Sequence, residues 1–181
     1  MGKIGFILPL FCFVGIFVHA QEIEESILWS ANNRLSWKNF KGKVPPAAIP
    51  AATTASGISY KYSANLLHHE VHLDFEVNAF FYPNESWYKP EICDDLILSH
   101  EQLHFDIAEL FARKMRERLL RTTFSENVKQ EIRDIYQEIL HELEQFQDRY
   151  DDETNFSRNR EKQLEWNKKI ASALASDNTY N

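Results

Sequence analysis

Residues 98–114, LSHEQLHFDIAELFARK, contain His-Glu-x-x-His at His100, Glu101 and His104. On a helix, side chains four apart differ by about 40° around the axis, so both imidazoles can reach one ion. Glu101, next to the first histidine, is placed to hold a water. The chemistry this spacing suits is hydrolysis: zinc lowers the pKa of a water toward about 7, a carboxylate takes its proton, and the ion polarises the carbonyl under attack. Three fixed identities in five positions also arise by accident on helices rich in Glu and His. Leu96, Leu103 and Ile107 favour the metal reading, because they bury the flank of the helix that carries the motif. A second group, HHEVH, holds His68, His69 and His72. On a strand His69 and His72 point to opposite faces, so this cluster is expected to face solvent.

The elements that must position the motif divide near residue 90. Before it the chain has the character of strands and loops, with a Pro/Ala stretch, VPPAAIPAATTASG. Val71, Leu73, Phe75, Val77, Ala79 and Phe81 recur every second residue, the period of a half-buried strand. From Ile92 onward the period is helical. Leu96, Leu103, Ile107, Leu110, Met115 and Leu119 mark one long helix, and TTFSEN breaks it, with Ser125 as N-cap of the next. Val128, Ile132, Ile135, Ile139, Leu143, Phe146 and Tyr150 mark the second helix, and a short third runs from Glu161 to Ala173. The expected fold is α+β: a small antiparallel sheet followed by a long helical hairpin that carries the motif, zincin-like in outline.

Lys3 precedes an apolar run that ends in Val18-His19-Ala20, the pattern of a cleavable signal peptide over residues 1–20. The run is short for a membrane span, which takes roughly 20 apolar residues, so a cleaved leader is favoured over a retained anchor. Residues 21–181 then form a single domain. Of 20 Lys and Arg only Lys3 lies in the leader, which leaves 19 basic against 27 acidic residues, a net charge of −8. That balance argues against nucleic acid and anionic membrane as partners. Cys93 alone remains after processing, so no internal disulfide forms, and it is expected to pack as a small apolar residue. The aromatics Trp37, Trp87 and Trp166 are expected in the core, Tyr150 in packing, and Arg113, Arg116 and Arg118 on a solvated helix face.

The chain resembles a bacterial family of secreted proteins taken, on the strength of this motif, as zinc-dependent proteases and catalogued as domain of unknown function 922. The resemblance rests on HEQLHFDIAELFARK, on Trp37, Phe40 and Gly42 in LSWKNFKG, on AATTASGISY, on SWYKP, and on YDDET followed by Gln163 and Trp166. It extends over residues 35–170 and implies metallopeptidase-like activity without naming a substrate. Relatives often place a histidine two residues after the Thr of this Tyr-Asp element, a natural third ligand, but here that position is Phe156, which cannot bind zinc.

Geometry ranks the replacements. An antiparallel hairpin turning near Thr123 sets residues 142–146 opposite 100–104, by equal rise along both arms. Glu142, on the shoulder of the face defined by Ile139 and Phe146, is the expected third ligand; Asp151 is second and Asp106 third. The sequence therefore predicts an exported hydrolase, periplasmic or secreted, that binds Zn2+ through His100, His104 and Glu142. It uses Glu101 as general base on a peptide or protein substrate. The rival is a non-catalytic envelope binding or structural protein with a retained or degenerate metal site.

Overall fold

The alternation of Val71 to Phe81 builds one face of a sheet. In the computed structural model, which describes residues 25–67 and 70–176, that segment is strand β4 (Glu70–Phe81). It pairs antiparallel along its whole length with β3 (Ser56–Leu67), in a register that sets Ser56 opposite Phe81 and Tyr62 opposite Phe75. A two-residue strand, β1 (Ile27–Leu28), lies on the other edge of β4, giving the order β1-β4-β3. Val77, Ala79 and Phe81 turn inward and are buried, whereas His72, Asp74 and Glu76 are exposed. His68 and His69 lie outside the described residues, as does the expected leader.

A second antiparallel pair, β2 (Ala52–Thr53) with β5 (Trp87–Tyr88), ties the Pro/Ala loop to the segment before the helices. Gly42 is required nearby. A Cβ there would stand 2.8 Å from the carbonyl oxygens of both Asn84 and Ser86, the latter accepting from the Gly42 N–H. Trp37 stacks on Tyr88 with centroids 4.5 Å apart and closes this end of the core together with Phe40.

Three helices follow: α1 (Asp95–Arg121), α2 (Val128–Thr154) and α3 (Arg160–Ser176). Helix α1 begins where Asp94 accepts a hydrogen bond from the Ile97 N–H at 2.9 Å, and ends with Arg118 and Arg121 in the last turn, both suited to the helix dipole. It is the central element. One side packs on the sheet, with Phe105 against Phe81, and the others pack on α2 and α3. No described helix is long and apolar enough to cross a membrane.

Two local expectations are corrected. Ser125 is not the N-cap of α2: Asn127 takes that position and its N–H donates to Ser125 Oγ at 3.1 Å, while the N–H and hydroxyl of Ser125 both donate to Glu131. Arg113 and Arg116 are not on a solvated face. Both bind the buried carboxylate of Glu109, and they also reach the carbonyls of Leu174 and Val77. Arg118 is half-buried as well, but its partners are the α2 side chains Glu138 and Glu142.

Candidate metal centre

The helical spacing of His100 and His104 brings their Nε2 atoms to 3.3 Å of each other. Both face Oδ1 of Asp151 near the end of α2, each at 3.0 Å. Among the described residues these three form the His/Asp group able to hold a metal ion. The edges of the triangle can be compared with chemistry. Donors about 2.0–2.2 Å from a tetrahedral zinc stand about 3.3–3.6 Å apart, close to the 3.0–3.3 Å seen here.

The donor set also fits a cation. Asp151 Oδ1 is buried and in hydrogen-bonding geometry with no group, although two ring nitrogens stand 3.0 Å away. Three such atoms turned toward one another are settled by a positive charge among them, whether a proton on an imidazole or a metal ion. The position of Asp151 sharpens the point. It belongs to the last turn of α2, which holds Asp151, Asp152 and Glu153 and no basic residue, so carboxylates sit at the negative end of the helix dipole.

Electrostatics record the same contact. Burial pushes the His104 imidazole down, but the close contact with the Asp151 carboxylate and its charge, helped by Glu101, outweigh it and leave His104 above its ordinary value. Burial likewise works to raise Asp151, and the two imidazoles override it, holding the carboxyl well below the usual range. Glu101, which follows His100 on α1, is 5 % exposed, and its charge adds to that of Asp151 in raising His104. Its backbone carbonyl accepts from Thr54 Oγ1 at 3.1 Å, fixing the strip after β2 against the motif.

Glu142 is not with them. It is bound by Lys114 and Arg118, which lower its pKa, and it lies more than two helical turns from Asp151 along α2. The reason is register. The link between the helices is Thr122–Asn127, centred beyond Thr123, so Tyr150 and Asp151 meet His100 about one turn farther along α2 than an exchange at Thr123 predicts. Asp106 is committed elsewhere: it accepts from Trp29 Nε1, Arg34 and Gln102 Nε2.

Around the triangle stand groups that position it. Tyr150, fully buried, stacks on His100 with centroids 4.6 Å apart, and burial raises its phenol far above the ordinary value. Trp166 packs on Tyr150 and donates to Glu153. After α2 the chain turns through three successive left-handed residues, Asn155, Phe156 and Ser157, with φ of 49°, 52° and 68°. The N–H groups of Asn155 and Phe156 cap the carbonyls of Asp152 and Asp151. Phe156 points to solvent at 54 % exposure. Gln163, which the sequence marks only as part of the resemblance, is buried on α3 with Trp166 and Ile170 and contacts His100 Nδ1 at 2.9 Å.

Neither the curated proteins nor the solved structures contain a match to this chain. Of the span that carried the resemblance, residues 91–158 match the model of a family described as Bacterial protein of unknown function (DUF922). Over the helical hairpin that holds His100, Glu101, His104 and Asp151, the chain is thus similar to a bacterial family of unknown function.

Proposed function

We propose that this protein is an exported, zincin-like zinc-dependent hydrolase acting on a peptide or related amide bond. The observation that carries the proposal is the triangle of His100 Nε2, His104 Nε2 and Asp151 Oδ1, with the buried Glu101 beside it. The two imidazoles and the carboxylate would hold the ion, in place of the set with Glu142. When bound, zinc supplies a Lewis acid that acidifies a water and polarises the substrate carbonyl.

The remaining work falls to the chain. Glu101 accepts the proton of the attacking water and returns it to the departing nitrogen, acting first as base and then as acid. Asp151 contributes one negative charge to the ligand set and joins α2 to the motif helix. Thr54 fixes the backbone at Glu101, so the carboxylate is held by both the helix and the adjoining strip. Tyr150 is a packing group against His100. Its hydroxyl is engaged with the His100 carbonyl and Gln163, which removes it as a free donor to a developing oxyanion.

The test is zinc content together with hydrolysis. The wild-type chain, reconstituted and dialysed, is expected to retain about one zinc per molecule and to cleave an unstructured protein substrate. Zinc retention without cleavage of any peptide library would move the protein to the non-catalytic binding class, and no zinc at all would overturn the proposal.

A further inference from the structure

A chain of buried and half-buried polar groups leaves α1 and returns to it through α3. Ser99 Oγ accepts from Asn167 Nδ2 at 2.8 Å, and Asn167 Oδ1 accepts from Gln163 Nε2 at 2.9 Å. The same Nε2 donates to the Tyr150 hydroxyl at 2.7 Å. Gln163 Oε1 then lies 2.9 Å from Nδ1 of His100, the residue that follows Ser99. Gln163 has no exposed surface.

In this arrangement both amide hydrogens of Gln163 are engaged, and its oxygen accepts from the Tyr150 hydroxyl at 3.0 Å and from Nδ1–H of His100. A neutral imidazole that donates from Nδ1 carries no hydrogen on Nε2. Nε2 is the atom that stands 3.0 Å from Asp151 Oδ1 and 3.3 Å from His104 Nε2. Tyr150 adds a second restraint, with its ring inclined only 22° to the imidazole. Stacking fixes the plane of the ring, and the hydrogen bond fixes its rotation within that plane. An apolar residue at 163 would take this partner from His100 Nδ1, the Tyr150 hydroxyl and Asn167 Oδ1.

We infer that Gln163 is a positioning residue of the metal centre: it holds His100 as the Nδ1–H tautomer and aims Nε2 at the ion. This rests on the zinc proposal, and it gives α3 a part in the site that supplies none of the three ligand atoms. Outer partners of this kind commonly change metal affinity by about 10–100-fold when removed.

The experiment compares Gln163→Leu and Gln163→Glu in the purified chain, with zinc affinity read by competition against a chromogenic chelator at one pH. Thermal melting of the metal-free variants controls for folding. Gln163→Leu is expected to bind zinc about 10–100-fold more weakly, and Gln163→Glu within about threefold of wild type, because its carboxylate accepts the same hydrogen. A residue that only fills the core gives the reverse order, since a buried carboxylate disturbs packing more than leucine does. Equal loss in both variants, or wild-type affinity in both, overturns the inference. If the wild type takes up no zinc, the zinc proposal fails alone, and long-range 15N spectra of the metal-free chain decide the role of Gln163. They are expected to show His100 protonated on Nδ1 in the wild type and shifted toward Nε2–H in Gln163→Leu. Nε2–H in the wild type overturns the inference.

Discussion

Nε2 of His104 stands 3.0 Å from Oδ1 of Asp151, across the groove between two long helices. The contact selects Asp151 over Glu142 as the third candidate ligand, and the two can be separated experimentally. Asp151→Ala is expected to weaken zinc binding by at least about 100-fold, beyond the 10–100-fold usual for a group that only supports a ligand. Glu142→Ala removes two partly exposed ion pairs, each worth at most about 1 kcal/mol, and should leave zinc affinity within about twofold. Titration of both variants in one buffer checks the pair, and a larger loss in Glu142→Ala would return the ligand to the middle of α2.

Glu101 is expected to work as a base and not as a ligand. Glu101→Gln should keep the zinc and the fold, and slow hydrolysis at least about 100-fold. Stopped assays with matched zinc content make the comparison. Activity that survived the change would require another group to take the proton of the water.

The paired shifts at His104 and Asp151 give opposite pH dependences with and without zinc. His104 is raised, so in the metal-free chain its stabilisation is complete below about pH 6.5 and is lost as pH climbs through the folded value. Asp151 is lowered, so its stabilisation is complete above about pH 4 and is lost on acidification. The metal-free protein should therefore draw most from this contact between about pH 4 and 6.5. Zinc must displace the proton from His104, so its affinity rises over the range in which the imidazole titrates. The rise in Tm on adding zinc is expected to be larger at pH 8 than at pH 5.5; the opposite trend would show that His104 does not release a proton on binding.

Asp106 separates stability from metal binding. Its carboxylate gathers the indole of Trp29, the guanidinium of Arg34 and the amide of Gln102, whose own oxygen accepts from the Leu35 N–H at 2.6 Å. Asp106→Ala leaves these donors without an acceptor and should cost about 2–4 kcal/mol in urea unfolding. Zinc affinity of the folded variant should stay unchanged, and a large loss would make Asp106 part of the centre.

The sequence displayed whatever depends on local period. Alternation exposed β4, three-and-four spacing exposed the helices, and the motif placed His100 and His104 side by side because four residues make nearly one turn. It did not display what depends on register between elements. A turn displaced by one residue moves the facing position by two, so a link centred between residues 124 and 125 carries the span opposite the motif from 142–146 to about 145–149, away from Glu142 and toward the turn that holds Asp151. Charged residues gave a similar lesson: Arg113 and Arg116 look solvent-bound in the linear pattern, and only the docking of α3 and β4 shows that they hold Glu109 and two carbonyls. Gln163 stood out only through the resemblance, and its partner lies on another helix.

The link Thr122–Asn127 joins α1 and α2 at one end of their hairpin, and His100, His104 and Asp151 lie toward the other. A bound ion would therefore fasten a chain loop whose opposite end is already covalent, making a closed ring of two helices and a short turn. Such a clasp restricts the unfolded chain as a cross-link does, and it acts where a hairpin would otherwise fray first. The last turn of α2, crowded with carboxylates and followed by three left-handed residues, is the segment whose amides should exchange fastest without the ion and gain the most protection with it.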